Sequence, residues 1–480
     1  MTTVATSYLS KTLDASNRKT WTFSTWLKIP SNINGDQTIW ANSYSADTSH
    51  YMFSNVNSSG QIQVQCVFPE TGSCDIATTR KLLDATSWYH IVYRVDTTQS
   101  TAANRIRIYV NGVQETSFAT NTIPPQNQNL GINMNVEHRI GNFAGLNRAF
   151  YGLLAHTHFA DGQSYAPSTF GETDSTTNEW KAKLSPSVNY GTNGFFLKYE
   201  NASNFGADSS GQSNNMATSG TFRQDTDTPS NNFCTLDKHQ GYGFSDPGGS
   251  NLIDHSGTAF LGTSGSFHGV NSTMMMSDGK WYAEFKPASP NTQAVGTAIS
   301  IQKNGTHANR RWRFEGNTAF PGKETGSNGC EAISYQPMTG TPDLVDDGGG
   351  GTVNYGVQAS ANDIIMMALD LSGTSGKLWF GKNGTWFNAP GTSNVGNPAT
   401  GANAGISFAK GDEFWGISVS SCANAAGNAN KYIYCNFGRG VFGTTAVSSG
   451  NADGAGQGIF EYAPPSGFYA MCTKNLKDYG

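Results

Sequence analysis

Two carboxylates at alternate positions of a strand could hydrolyse a glycosidic bond, and Glu172-Thr173-Asp174 comes nearest to that pattern. Retaining hydrolysis needs carboxyl groups about 5 to 5.5 Å apart, a spacing that residues i and i+2 of a strand supply because they share a face. The surrounding residues are rich in Gly, Ser and Thr, and Thr176 and Thr177 follow where a third acid would belong. We therefore expect a solvated loop or Asx-turn, with no catalytic role.

Two further groups could hold a metal ion. His156 and His158 lie two apart in a strand-like run, but no third ligand is evident, so we expect them to face solvent or to bond backbone groups. Asp343, Asp346 and Asp347 flank four glycines and could form a calcium loop. The EF-hand spacing is absent and no Gly-Lys-Ser/Thr follows the glycines, so an exposed turn is expected, with no metal and no cofactor.

Catalysis by a nucleophile is not indicated, because no Ser/His/Asp or Cys/His grouping can be assembled from motifs. We therefore expect no enzyme activity. Binding is a better candidate, since sugars are held by aromatic faces together with amides and carboxylates. Among residues that look loop-borne, we predict a ligand-binding surface at Arg310, Arg311, Trp312 and Trp386.

Other tryptophans lie in strand patterns, which predicts that they are part of the core. They are Trp21, Trp26, Trp281 and Trp379.

Composition predicts an all-β protein. The 480 residues include 56 glycines and only 14% charged residues, which is typical of short strands joined by many turns. That length predicts two or three domains. A net charge of −5 without a basic cluster argues against nucleic-acid or anionic-membrane partners.

The cysteines and the apolar runs predict the cellular compartment of the protein. Seven scattered cysteines without a CxxC pair predict free, mostly buried thiols in a reducing cytoplasm. No run is long enough for a membrane span, and the first residues lack the apolar core of a signal peptide, so no membrane insertion is expected.

Two hairpins organise the chain. Residues 88–115 give two strands of period two that end in Asn111-Gly112, a pair that suits a type I′ turn. Residues 363–386 repeat this arrangement and end in Asn383-Gly384. Each hairpin is expected to belong to one sheet system.

The first part of the chain resembles laminin-G-like domains of the concanavalin A-like lectin/glucanase superfamily. The resemblance lies in WTFSTWLKI, SWYHIVYRVD, RIYVNGVQ and FYGLLAHTHFADG, over about residues 15–165. In that pattern His90 is a structural residue. The resemblance implies an antiparallel β-sandwich of jelly-roll type over residues 1–165.

Residues 166–240 form a Ser/Thr/Asn-rich connector by composition. Only residues 194–201, GFFLKYEN, are apolar enough to predict a strand, and we expect it to be donated to a neighbouring sandwich. The run resembles a connector of marine-phage virion proteins that joins two such sandwiches.

Residues 241–480 resemble a SPRY domain with an added C-terminal tail. The matching motifs are KWYAEFK, the DIIMMALD to KNGTW hairpin, and Asn436-Phe437-Gly438 with Phe442. The tail FEYAPPSGFYAMCTKNL departs from that family and again resembles phage proteins. A second concanavalin A-like sandwich is therefore implied.

Together these resemblances imply a non-enzymatic bacteriophage surface protein, a tail fibre or head appendage that binds host-surface glycans. The implied partners are other virion proteins, a host cell-surface glycan and further copies of the chain. The implied location is the virion surface, after assembly in the bacterial cytoplasm. A purely structural capsid or tail decoration protein and a laminarinase-type glycoside hydrolase are the alternatives.

Overall fold

The computed structural model describes most of the chain, and the statements below apply to those residues. They are 7–30, 33, 35–43, 51–67, 73–144, 148–175, 178–242, 253–254, 257–262, 267–288, 297–303, 332–337, 343–346, 351–387, 395–422 and 431–480.

Strands dominate the described residues, which confirms the all-β prediction. Strands β1 to β34 are, in chain order, Tyr8–Thr12, Thr20–Lys28, Gln37–Ser43, Tyr51–Val56, Gln61–Val67, Cys74–Lys81, Tyr89–Asp96, Ile106–Val110, Val113–Gln114, Phe118–Thr122, Glu137–Ile140, Leu153–Asp161, Gly171–Thr173, Trp180–Ala182, Phe195–Leu197, Ala217–Ser219, Leu236–Tyr242, Ile253–Asp254, Ala259–Gly262, Phe267–Met276, Lys280–Pro287, Thr297–Lys303, Ala332–Gln336, Asp343–Asp346, Gly351–Asn354, Ile365–Asp370, Ser375–Lys382, Thr385–Trp386, Ile406–Ala409, Trp415–Cys422, Lys431–Asn436, Val441–Phe442, Thr445–Ala446 and Tyr469–Ala470. Short 3-10 helices lie at Ala102–Asn104, Pro167–Thr169 and Pro398–Thr400, and helix α1 is Thr473–Tyr479. No described helix is both long and apolar enough to cross a membrane.

The chain divides into two compact units, Met1–Ser230 and Asn231–Gly480. The stretch that we predicted as a connector is divided between them. Residues up to Ser230 pack with the first unit, and β17 pairs with β20 in the second.

The first unit has an eight-stranded sheet, β10-β6-β5-β4-β3-β11-β1-β16, and a six-stranded sheet, β15-β12-β2-β7-β8-β9. Strand β2 lies inside the six-stranded sheet, between β12 and β7, and all its residues after Thr20 are buried. Its aromatics are therefore covered on both faces. In β5, Ile62, Val64 and Cys66 are buried and alternate with half-buried residues.

Both predicted hairpins are present. Asn111 and Gly112 have φ of 49° and 79°, and Asn383 and Gly384 have φ of 50° and 86°, so all four adopt the left-handed conformation of a tight turn. Each turn also has the same kind of side-chain hydrogen bond. Asn111 Oδ1 accepts from the backbone N–H of His90, and Asn383 Oδ1 accepts from the backbone N–H of Ile364, both at 2.8 Å.

Residues after 165 add an edge strand to each sheet of the first unit. Strand β15 pairs with β12 through Phe195 and Phe159, and β16 pairs with β1 through Ala217 and Ser10. Phe195 and Leu197 enter the core between the sheets, which explains why this apolar run is buried. Strands β13 and β14, which precede β15 in the sequence, form a separate two-stranded sheet.

The second unit contains a seven-stranded sheet and a larger sheet in which β21 pairs with β26 and β31. Trp281, Ala283 and Phe285 of β21 face the main core. The other face of that sheet is covered by the C-terminal tail, because Tyr282 packs with Phe460 and Phe468. The four tryptophans predicted as core are all buried.

Five cysteines are buried free thiols in the described residues, as predicted: Cys66, Cys74, Cys234, Cys435 and Cys472.

Candidate ligand-binding pocket in the first unit

A pocket of about 280 Å³ opens beside the first half of strand β12. Its base is formed by β12 and by Trp88, which immediately precedes β7, and its walls come from residues 182–184, 198–205 and 223–230. The lining residues are Trp88, Leu153, Leu154, Ala155, His156, Ala182, Leu184, Lys198, Tyr199, Glu200, Phe205, Arg223, Gln224, Asp225, Asp227, Thr228, Pro229 and Ser230. Apolar and aromatic side chains with a few polar groups are the usual composition of a small-molecule site.

Part of the pocket lies on the face of the six-stranded sheet that is turned away from the main core, although two of its lining residues, Leu154 and Phe205, belong to that core. A small apolar cluster of Trp26, Trp88, Leu153 and Ala155 covers this face, with Trp180 packed against it. His90 lies in the same layer, where its ring stacks on Trp26 at 4.8 Å between ring centroids. The sheet thus buries side chains on both faces, because the residues after 165 cover the outer one.

A buried ion pair fixes the wall at 223–230. The Lys28 ammonium lies 2.6 Å from an Asp227 carboxylate oxygen, and both side chains are almost inaccessible to solvent. The other Asp227 oxygen accepts a hydrogen bond from Trp88 Nε1 at 2.9 Å. A second pair, Arg223 with Asp225 at 3.0 Å, lies beside it, and Asp225 also accepts from the backbone N–H of Asp227.

Two lining residues have a backbone conformation that bulky side chains rarely adopt. Ten described non-glycine residues have positive φ, and all except His156 and Tyr199 are asparagine or serine. His156 has φ of 46° and Tyr199 has φ of 62°, and both line the pocket. Such strain costs on the order of 1 to 3 kcal/mol per residue and is concentrated at functional sites.

His156 sits in a bulge of β12, where the pairing register with β2 shifts between Ala155 and His158. Its Nδ1 is buried and has no hydrogen-bond partner among the described residues. Burial lowers the pKa of His156, an effect to which Lys198 adds and which Glu200 opposes. The imidazole is therefore neutral at pH 7, and a neutral ring can donate one hydrogen bond and accept another.

The neighbouring histidines are buried and structural. His90 contacts Ser24 Oγ at 2.8 Å and accepts at Nδ1 from Trp180 Nε1 at 2.9 Å, and burial lowers its pKa to about 3. His158 is bonded to the Tyr190 hydroxyl at 2.9 Å, and burial holds its pKa well below 6.5.

Four of the residues considered as possible metal ligands, for which we expected no metal, lie in strands β12 and β24. His158 is buried and does not face solvent as one alternative held. No group of three or more His, Cys, Asp or Glu residues suited to a metal occurs within the described ranges. Asp343 and Asp346 begin and end strand β24, which corrects the expected turn, because β24 pairs with β23 and β25. Asp347 lies outside the described residues.

The prediction of a solvated loop at Glu172-Thr173-Asp174 is corrected in part. Glu172 and Thr173 belong to β13, which pairs with β14, since Thr173 lies opposite Trp180, but both residues are exposed and Asp174 follows the strand. Lys181 lies 3.8 Å from Glu172 and 2.8 Å from Asp174, so one ammonium holds both carboxylates. Neither acid lines the pocket.

Of the predicted ligand-binding residues, Arg310, Arg311 and Trp312 lie outside the described residues. Trp386 is half-buried in β28, and its ring lies 6.3 Å from that of Tyr282 in an edge-on arrangement. It packs against the cluster under the C-terminal tail.

The pocket residues escaped the sequence reasoning because most belong to the stretch interpreted as a connector. One signal was available, since Asp225-Thr226-Asp227 places two acids at alternate positions.

The fold of the first unit is that of a concanavalin A-like β-sandwich. A laminin G family model, described as Concanavalin A-like lectin/glucanases superfamily, matches residues 5–164 and confirms the resemblance seen in the first domain. No curated protein matches the chain.

Three solved structures are similar to parts of the chain. The SPRY domain of human HERC1 is 13% identical, with a TM-score of 0.26, over 42% of this chain and 96% of that one. A native heptameric SAP-like pentraxin from Limulus polyphemus is 14% identical, with a TM-score of 0.27, over 38% and 88%. A basic winged bean lectin with Tn-antigen is 10% identical, with a TM-score of 0.28, over 42% and 94%. Likenesses this weak say nothing about the ligand of this chain.

If the backbone strain at His156 is retained for ligand binding, a substitution that relieves the strain should not lower the free energy of unfolding but should lower the affinity for the ligand. We expect His156→Asn to leave the free energy of unfolding unchanged or raised by about 1 kcal/mol, because asparagine tolerates positive φ. Ligand affinity should fall, because the imidazole in the pocket is lost. Urea denaturation measures the free energy of unfolding, and calorimetric titration with a ligand of the wild-type chain measures the affinity.

Ser213→Asn is the matched control, since Ser213 has φ of 61° and lies outside the pocket. It should leave affinity unchanged. Unchanged affinity in His156→Asn would show that the strained histidine does not contact the ligand.

Proposed function

We propose that the protein is a non-enzymatic surface protein that binds carbohydrate in the first-unit pocket. The observation that carries the proposal is the pocket itself, in which apolar walls meet an imidazole, an amide, an ammonium and a guanidinium. Carbohydrates need both kinds of contact, because their C–H faces pack on apolar rings while their hydroxyls exchange hydrogen bonds.

The size of the pocket limits the ligand. A volume of 280 Å³ is close to the roughly 300 Å³ at which pockets for drug-sized molecules begin. The natural occupant is therefore small, such as one sugar unit at the end or side of a longer glycan. Leu184, which is 70% exposed at the pocket, is placed to contact the next unit.

The absence of catalysis is part of the proposal. Glycoside hydrolysis needs one carboxyl to protonate the leaving group and another to attack or activate water. Asp225 and Asp227 are the paired acids of the pocket, and each is engaged by a cation, Arg223 or Lys28. This arrangement supports binding without bond cleavage.

The biological setting of the proposal rests on sequence resemblance. The connector and the C-terminal tail resemble those of phage virion proteins, so we place the protein on a bacteriophage tail fibre or head appendage. Its partners there would be other virion proteins, further copies of itself and a host-surface glycan.

The test is binding of the purified full chain to an array of bacterial and algal glycans. We expect binding that Ser230→Trp reduces at least about tenfold, because Ser230 is exposed at the pocket and an indole there would fill it. Ser59→Trp is the control, since Ser59 is exposed in a turn away from the pocket.

Reducing-sugar release by the wild-type chain would contradict the non-enzymatic part of the proposal. An array without binding, or binding that Ser230→Trp leaves unchanged, would reject the pocket as a carbohydrate site.

A further inference from the structure

The charges that line the pocket are unequally exposed. Among the acids, the Asp225 side chain is 4% exposed and that of Asp227 is 0% exposed. Both are held in ion pairs, so neither carboxylate is available to a ligand. The Arg223 side chain, in contrast, is 22% exposed, although its Nε and Nη1 atoms are buried and its Nη2 atom donates to Asp225.

Lys198 is a second cation of the pocket. It is half-buried, lines the pocket and forms no ion pair among the described residues. Its ammonium lies 5.6 Å from the centroid of the Phe196 ring, a cation–π contact that holds it near the sheet. The charge of the Lys198 ammonium is therefore not neutralised by a carboxylate of the described residues and can attract an anionic ligand.

Glu200 is the one acid of the lining without an ion pair in the described part of the chain. It is exposed, so water and salt screen its charge. The half-buried Lys198 is screened less, because the effective dielectric constant falls away from bulk water. Of these two opposite charges, the charge of Lys198 therefore acts more strongly on a ligand inside the pocket.

We infer that the pocket selects an acidic sugar, one that carries a carboxylate or a sulfate, with Lys198 contacting the anionic group. The apolar side chains of the pocket pack against the sugar ring, and the His156 imidazole contacts a sugar hydroxyl.

Calorimetric titration of the full chain with D-glucuronate, D-galacturonate, their neutral parents D-glucose and D-galactose, D-glucosamine and sodium sulfate tests this inference. We expect each uronate to bind at least about tenfold more tightly than its parent sugar. The advantage should shrink as ionic strength rises from about 0.01 to about 0.3 M, because the contact is partly screened.

Lys198→Gln should remove most of the preference, lowering uronate affinity about tenfold more than neutral-sugar affinity. Lys81→Gln removes the same charge from an exposed position of β6, outside the pocket, and should change neither. Retention of the preference in Lys198→Gln would overturn the assignment of that residue.

Because this inference rests on the proposed function, the outcomes must separate the two. Equal or tighter binding of neutral sugars or glucosamine overturns the acidic preference and leaves carbohydrate binding standing. Sulfate binding as tight as that of the uronates makes the pocket a simple anion site and overturns the role of the sugar ring. Failure of every sugar here and of every glycan on the array overturns both.

Discussion

Replacing Asp227 with alanine is expected to lower the free energy of unfolding of the first unit by about 3 to 5 kcal/mol. The reason is that the substitution leaves the Lys28 ammonium buried without its carboxylate and removes the acceptor of Trp88 Nε1. Ligand binding should be lost as well, because residues 223–230 are held to the sheet through this contact. Urea denaturation followed by tryptophan fluorescence measures the first effect, and calorimetric titration measures the second.

The matched control is Asp36→Ala. Asp36 pairs with Arg148 at 3.4 Å, but both side chains are partly exposed, so solvent screens the pair. A loss of at most about 1 kcal/mol is expected there. If Asp227→Ala costs no more than Asp36→Ala, the buried pair does not hold the wall.

A double variant separates the cost of an orphaned charge from the net contribution of the pair. Lys28→Met with Asp227→Leu replaces both charges by apolar side chains, and such replacements are often neutral or stabilising. We expect it to recover at least half of the stability lost in Asp227→Ala. A double variant as unstable as Asp227→Ala would mean that the hydrogen bond from Trp88 carries the effect.

The second large effect is expected at Glu284, which anchors the C-terminal tail of the second unit. Its buried carboxylate accepts from the backbone N–H groups of Glu461 at 3.0 Å and Tyr462 at 2.8 Å. It also accepts from Asn436 Nδ2 at 3.1 Å and from the Tyr282 hydroxyl at 3.0 Å. Glu284→Ala leaves several buried donors without an acceptor, so a loss of on the order of 3 kcal/mol or more is expected.

The same residue should make the second unit pH-dependent. Burial raises the pKa of Glu284 from 4.5 to about 7, although its four hydrogen bonds oppose the shift. Between these pH values the folded state binds more protons than the unfolded state, so stability falls as pH rises. The contribution is complete below about pH 4.5, is lost as pH rises through about 7, and amounts to about 3 kcal/mol.

Hydrogen exchange of the peptide that contains Glu461 and Tyr462, measured by mass spectrometry from pH 5 to 8, checks this prediction after correction for intrinsic exchange. Wild type should lose protection over that range, and Glu284→Gln should show no such dependence because its side chain does not titrate. Glu461→Gln is the control, since Glu461 lies on the same tail and its carboxylate is bound by Ser448 and not by Glu284. An equal pH dependence in wild type and Glu284→Gln would rule out Glu284 as the titrating group.

Local patterns were enough to predict the scaffold. Alternation in β7 and β8 and the apolar run of β26 identified the strands, and Asn-Gly pairs identified the turns, because backbone conformation at a tight turn depends on the residues in it. The burial of the tryptophans followed from strand patterns as well. The resemblance of the first domain to laminin G domains agrees with the family model over residues 5–164.

The ends and edges of the sheets were harder to predict. The spacing in β12 suggested that His156 and His158 lie on the same face of a regular strand, but a bulge between Ala155 and His158 changes the pairing register. The three-residue strands β13 and β15 carry too few residues to show a period. Their pairing depends on which sheet edge is available nearby.

The sequence by itself determined an all-β chain with two hairpin-centred sandwiches and free cysteines. Only the tertiary structure decided where a ligand can bind. Lys28 and Asp227 are 199 positions apart, and Trp88 is 139 positions from Asp227, so no local pattern joins them. They meet because an apolar face of the six-stranded sheet must be covered, and burying it brings their charges together where water cannot separate them.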